Sequence, residues 1–108
     1  MPFAVLLTND AAGDLIGLYD FVSKNDSPLK ADYVLKQIEK IFSTLSEFPE
    51  RGVSPKELLK LGIREYREIF YKPYRIICRI MDKNVYVLLI VDGRRDMQAL
   101  LQRRLLEA

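Results

Sequence analysis

The sequence predicts an α+β domain: a strand, a helical hairpin, three antiparallel strands and a short C-terminal helix, with the helices packed on one small sheet. Three observations predict it. Apolar residues recur at steps of three and four between Ala12 and Phe48. Between Ile63 and Asp92, three β-type runs follow one another through turns so short that neighbouring strands must be antiparallel. Finally, Met97, Leu100, Leu101 and Leu105 form one more helical stripe.

Phe3–Leu7 is short, uniformly apolar and followed by Thr8-Asn9-Asp10, which reads as a strand leading into a capped helix. Ala12, Leu15, Leu18, Tyr19 and Val22 give that helix its buried stripe. Gly13 and Gly17 each weaken it by roughly 1 kcal/mol relative to alanine, and leave shallow spots where another helix can approach. Ser27-Pro28 places a cap and a first-turn proline in their preferred order. Val34, Ile38, Ile41, Leu45 and Phe48 then carry the second helix, with Leu35 and Phe42 widening its stripe. Pro49–Gly52 ends it. Val53–Gly62 reads as a loop, with one extra turn over Lys56–Leu59.

The strands are expected at Ile63–Tyr71, Tyr74–Met81 and Val85–Asp92. Side chains alternate along a strand, so Tyr74, Ile76, Cys78 and Ile80 should face the helices, with Arg75, Ile77, Arg79 and Met81 opposite. The third run is apolar on both faces, Val85, Val87, Leu89 and Val91 against Tyr86, Leu88 and Ile90. That predicts a central strand covered on both sides, with Phe3–Leu7 a candidate to join the same sheet. Asp96 caps the last helix, and Arg103 and Arg104 sit at its favourable C-terminal end.

Composition narrows the chemistry. One hundred and eight residues make a single domain, residues 1–108, with no linker or internal repeat. One cysteine, Cys78, excludes an internal disulfide and a cysteine-based zinc cluster. No histidine is present, which removes every Ser-His or Cys-His pair and the commonest general base. No metal or cofactor is therefore expected. MPFAVLL lacks a basic flank and is too short for a signal peptide or membrane span, so a cytoplasmic protein with no membrane contact is expected. Charge is uneven: residues 1–63 carry seven basic and nine acidic side chains, and residues 64–108 ten and six. The basic, arginine-rich half points to an anionic partner, against the plainer reading of arginines on a solvated sheet face.

Thr8-Asn9-Asp10-Ala11-Ala12 with Asp14-Leu15, Phe48-Pro49-Glu50-Arg51-Gly52, Tyr74-Arg75-Ile76-Ile77-Cys78-Arg79-Ile80 and Val91-Asp92-Gly93-Arg94-Arg95-Asp96 carry a resemblance. In this order and at this length, the chain resembles the RelE/ParE superfamily of toxins from bacterial type II toxin–antitoxin systems, closer to ParE-like than to RelE-like members. The resemblance spans essentially the whole chain. It implies a cognate antitoxin, ParD-like or RelB-like, bound in a hetero-oligomer. It also implies one of two activities: binding and poisoning of DNA gyrase, or metal-free cleavage of messenger RNA on the ribosome.

Chemistry weighs between the two. Cleavage of RNA without metal needs a base, cations for the phosphate and an acid. Arg75 and Arg95 match the family's phosphate-binding arginines. The first sheet strand, however, offers Arg64 and Arg67 in place of lysines, and Leu101 stands where a tyrosine is expected. Guanidinium is a poor base. Tyr66, Tyr71 or Tyr74 could serve instead, each equally readable as a sheet-packing aromatic, and Tyr74 is the candidate to complete a ribonuclease site with Arg75 and Arg95. The arginine set without a clear proton-transfer partner favours binding, with Arg67, Arg75, Arg94 and Arg95 as target contacts. Salt bridges of Arg75, Arg94 and Arg95 to Glu65, Glu68 or Asp92 are the structural alternative, which is also the reading for Arg79. For the antitoxin, Ile16, Phe21 and Tyr33, which lie off the main stripes, and Leu100, Leu101 and Leu105 of the last helix are the expected contacts.

Overall fold

The computed structural model describes residues 2–106. Its elements are β1 (Ala4–Leu7), α1 (Asn9–Asn25), α2 (Pro28–Glu47), α3 (Lys56–Leu59), β2 (Tyr66–Tyr71), β3 (Tyr74–Met81), β4 (Asn84–Asp92) and α4 (Met97–Leu101), the last running into a π-helical turn over Gln102–Leu106. The sheet order is β1-β4-β3-β2. β2, β3 and β4 are antiparallel neighbours, and β1 lies parallel to β4 with Leu7 opposite Val87.

Local chemistry sets the helix ends. Thr8 Oγ1 accepts from the Ala11 amide at 3.1 Å, and Ser27 Oγ from Lys30 at 3.0 Å, with Pro28 in the first turn of α2. Each such cap contributes about 1 kcal/mol. Asp96 does the same for α4 through the Ala99 amide. β2 begins at Tyr66 rather than Ile63 because the Ile63 amide is taken by the Leu58 carbonyl, in the turn that ends α3. Phe3 lies just outside β1, with its backbone held by Ser46 of α2.

The sheet is covered on both faces. Ala11, Val34 and Ile38 of the hairpin pack on Ile76, Val87 and Ile90. Leu45 packs on Ile69, Cys78 and Val85. On the opposite face, Leu58, Met97, Leu100 and Leu101 pack on Tyr66, Ile77, Leu89 and Val91. β4 is central and buried from both sides, as its composition predicts.

Strict alternation along β4 does not hold. Ile77 pairs with Leu89 and Cys78 with Val87, so Leu88 is an extra residue opposite that step. Such a bulge inverts side-chain parity from that point on. Val85 and Val87 therefore face the helical hairpin together with Ile90, whereas Leu89 and Val91 face α4.

β1 is also shorter than β4. Beyond Val87, no strand pairs with that side of β4 among the described residues. Side chains occupy the gap instead. Asp14 of α1 accepts from the Ile90 amide at 3.0 Å. Arg104 donates to the Leu88 carbonyl at 3.2 Å and to both Asp14 oxygens at 3.2 and 3.0 Å. Backbone groups that a strand would satisfy are thus satisfied by an ion pair between residues 14 and 104. This bond ties the C-terminal turn to α1.

Candidate functional site: the turn after β4 and the groove beside it

The turn Asp92–Asp96 joins β4 to α4. Asp92 folds it by accepting from the Arg94 backbone amide and from Arg94 Nε, both at 2.9 Å. The Gly93 amide donates to the Pro73 carbonyl at 2.8 Å, which ties the turn to the β2–β3 connection. Glycine is required there by a close approach: a Cβ at this position would lie 2.7 Å from Arg75 Cδ. The stem of Arg75 is therefore the floor on which the turn rests.

Arg75 itself does not reach solvent. It is 6% exposed, its two terminal nitrogens donate to both Glu57 oxygens at 2.8 Å, and its Nε donates to Glu68 at 2.6 Å. Hydrogen bonding to Glu57 is the main reason its guanidinium is held charged more firmly than usual. The same bond lowers the Glu57 carboxyl below its ordinary range. Of the partners the sequence offers to this arginine, Glu68 is one. Glu57 escaped notice because it lies in a four-residue helix between two loops, with no periodic pattern to mark it. This buried trio joins α3, β2 and β3.

Arg67 is engaged as well. It donates to the Glu50 and Gly52 carbonyls at 3.0 and 2.9 Å, which secures the turn after α2. Arg79 lies over the Tyr66 ring at 5.8 Å. Arg94 and Arg95 are exposed on the turn. Arg94 is paired with Asp92, and Arg95 makes no salt bridge among the described residues. The four arginines expected to act together are therefore two structural cations and two surface ones.

A groove of about 580 Å³ runs between this turn and α1, with Tyr74, Ile90 and Asp92 along one side and Gly13, Gly17 and Phe21 along the other. Tyr74 is half-buried, and burial, followed by the Asp92 charge, raises its phenol above the ordinary value. The hydrogen-bonded Arg94 guanidinium holds Asp92 down at about 2. At neutral pH, then, Tyr74 keeps its proton as a weaker acid than usual and Asp92 is an ionised carboxylate of low basicity, so both lie away from the near-neutral range where proton transfer is most efficient. Cys78 is fully buried, and burial pushes its thiol up to about 11.

The Asp92–Arg94 pair has a defined pH window. A carboxyl whose folded value is depressed stabilises the fold above its unfolded value and stops doing so as pH falls through the folded one. The pair should hold the turn above about pH 4 and release it as pH approaches 2. A carbon-detected NMR titration should give an Asp92 midpoint near 2, and a midpoint at the ordinary 3.8 would contradict the pairing.

The residues expected to meet an antitoxin divide by exposure. Ile16 and Phe21 are each 65% exposed and Tyr33 is 53% exposed. Leu100 and Leu101 are buried, and Leu105 packs against the same core cluster. The stripe on the last helix is thus core: it faces the sheet side made by Ile77, Leu89 and Val91.

Comparison with known proteins agrees with this architecture. The family model for the ParE toxin of type II toxin–antitoxin systems (parDE) matches residues 5–97. Toxin ParE3 of Caulobacter vibrioides is 31% identical over 100 residues, covering 93% of this chain and 96% of that protein. Among solved structures, the chromosomal ParDE toxin–antitoxin system from P. aeruginosa superposes with a TM-score of 0.69 at 20% identity, over 83% of this chain and 95% of that one. The toxin–antitoxin complex RelBE2 from Mycobacterium tuberculosis gives 0.59 at 25% identity, over 85% and 99%. The family match over residues 5–97, together with a relative aligned along nearly its full length, establishes that the chain belongs to the ParE toxin family of type II toxin–antitoxin systems.

Proposed function

We propose that this toxin acts by binding and poisoning DNA gyrase, that Arg94 and Arg95 make the contact, and that a ParD-like antitoxin neutralises it. The observation that carries the reading is the state of the turn after β4. It presents two exposed guanidinium groups, and the titratable side chains beside them are poor proton-transfer groups, burial making Tyr74 a weaker acid than usual and Arg94 making Asp92 a weaker base. Charge recognition without proton transfer fits a binding inhibitor. Arg75 serves by supporting that turn from below. Cleavage of messenger RNA draws less support, because Arg75, one of the two arginines it would use for the phosphate, is occupied by Glu57 and Glu68.

The order in which cellular processes stop tests the proposal. After induction in a host without the antitoxin, thymidine incorporation should fall before methionine incorporation. The reverse order would identify a translational target and defeat the gyrase reading. The doubly substituted Arg94→Ala/Arg95→Ala protein should keep its overall fold, since both side chains are exposed and the residue-94 backbone amide still bonds Asp92 in the turn. Its inhibitory potency should fall by about 30-fold or more, the scale of a lost arginine hot spot. Undiminished potency would remove these two residues from the interface.

A further inference from the structure

A basic surface by itself attracts any anion, but the fold sets an aromatic face beside the cations. Phe21 stands 65% exposed on α1 and lines the same groove as Arg94 and Arg95. The space between them is open. A Cβ built at Gly13 or Gly17, which line the groove on the Phe21 side, meets nothing within 4 Å. Tyr74 borders the groove from the sheet, half-buried and protonated at neutral pH, so its phenol is available as a hydrogen-bond donor.

Charge sets the size of the anion. Asp14 is paired with Arg104 and Asp92 with Arg94, which leaves Arg95 as the unmatched cation on the groove among the described residues. One unmatched cation suits a phosphodiester, which carries a single charge, better than the polyphosphate of a free nucleotide. A phosphodiester brings a base with it, and an exposed aromatic ring beside arginine is a platform on which an unpaired base stacks. A duplex cannot use such a platform, because its bases are stacked inside. Asp20 is exposed on α1 next to Phe21, so a phosphate backbone does not run along the helix and recognition is confined to the groove.

We infer that the groove holds one unpaired nucleotide of a DNA strand, its base stacked on Phe21 over Gly17 and its phosphodiester on Arg95. The inference deepens the proposed function and rests on it for the choice of DNA: gyrase holds DNA, and strand ends opened by cleavage expose unpaired bases. A toxin that binds the opened strand and not the closed duplex shifts the population toward the cleaved state. Trapping of cleaved DNA then follows from differential affinity, with no step of bond chemistry by the toxin.

Fluorescence anisotropy of a labelled oligodeoxythymidylate of about twelve nucleotides, titrated with the full chain at low salt, tests the site. The strand should bind more tightly than the same strand annealed to its complement. Phe21→Ala should weaken strand binding about tenfold, the scale of one lost stacked base. Arg95→Ala should weaken it and lower its salt dependence by about one phosphate contact. Gly17→Leu fills the groove, and nothing in the fold opposes the added side chain. Its thermal unfolding should match or exceed that of the parent, because leucine favours a helix over glycine, while its strand affinity falls as in Phe21→Ala. A strand carrying 5-iododeoxyuridine should photocrosslink to Phe21 or Tyr74. A duplex bound as tightly as the strand would overturn the inference, as would affinity within about threefold of the parent in either Phe21→Ala or Gly17→Leu. Tighter binding of oligouridylate than of the DNA strand would overturn the choice of DNA. These measurements contain no gyrase. A toxin that binds the strand but leaves supercoiling untouched defeats the target reading alone, and one that poisons gyrase without binding the strand defeats this inference alone.

Discussion

Arg75→Ala is expected to destabilise the protein by about 3–5 kcal/mol, the usual cost of removing one partner from a buried ion pair. The substitution leaves Glu57 and Glu68, 8% and 4% exposed, as unpaired carboxylates inside the fold. It also removes the stem on which Gly93 rests. Domains of this size have only about 5–15 kcal/mol to lose, so the variant should keep a much smaller margin of stability. Urea denaturation measures the loss. A change below about 0.5 kcal/mol, normal for a surface residue, would mean that Arg75 is free to bind a target. Replacing Arg75, Glu57 and Glu68 together with apolar residues of matching volume should recover much of the stability. The pair also sets an acid limit. Glu57 is held below its ordinary 4.5, so its contribution is complete above that pH and is lost as pH falls through the lower, folded value.

Leu101→Ala should cost about 2–5 kcal/mol, as deletion of a fully buried leucine does elsewhere. Leu101 is 1% exposed and packs among Ile77, Leu89 and Met97. The antitoxin affinity of the folded fraction should be unchanged. Phe21→Ala should behave in the opposite way: stability within about 0.5 kcal/mol of the parent, because the ring is mostly exposed, and a clear loss of antitoxin affinity. Denaturation curves paired with calorimetry separate the two. Normal stability with lost affinity in Leu101→Ala would return the last helix to the antitoxin surface.

These contrasts show where the sequence was readable. The helix starts were, because cap residues at Thr8–Asp10 and Ser27 precede a 3.6-residue apolar period, whereas α1 runs on through Asn25, past the polar stretch from Ser23 that reads as a break. β3 and its turn from β2 were, because the two-residue Lys72-Pro73 connection forces adjacent antiparallel strands; the turn to β4 is one residue shorter than expected, since Asn84 already pairs with Met81. The faces of β4 were legible only up to Val87. A run apolar on every residue carries no mark of a bulge, so parity after Leu88 depends on register with β3. The roles of the arginines were the least legible. Arg75, Arg94 and Arg104 look alike in sequence, and what separates them is where a carboxylate lies: Glu57 for the first, Asp92 two residues away for the second, Asp14 ninety residues away for the third. The open face at Gly13 and Gly17 is similar. The spacing announces a close approach, and only the packed fold reveals that no helix of this chain makes it.

On the proposed reading, the exposed arginine turn inhibits gyrase by binding. The most direct measurement is gyrase supercoiling of a relaxed plasmid, titrated with the purified toxin and examined for protein-linked cleaved DNA. Inhibition with trapped cleavage product is expected, lost in Arg94→Ala/Arg95→Ala and lost when the antitoxin is added first. Full supercoiling in the presence of excess folded toxin would contradict it.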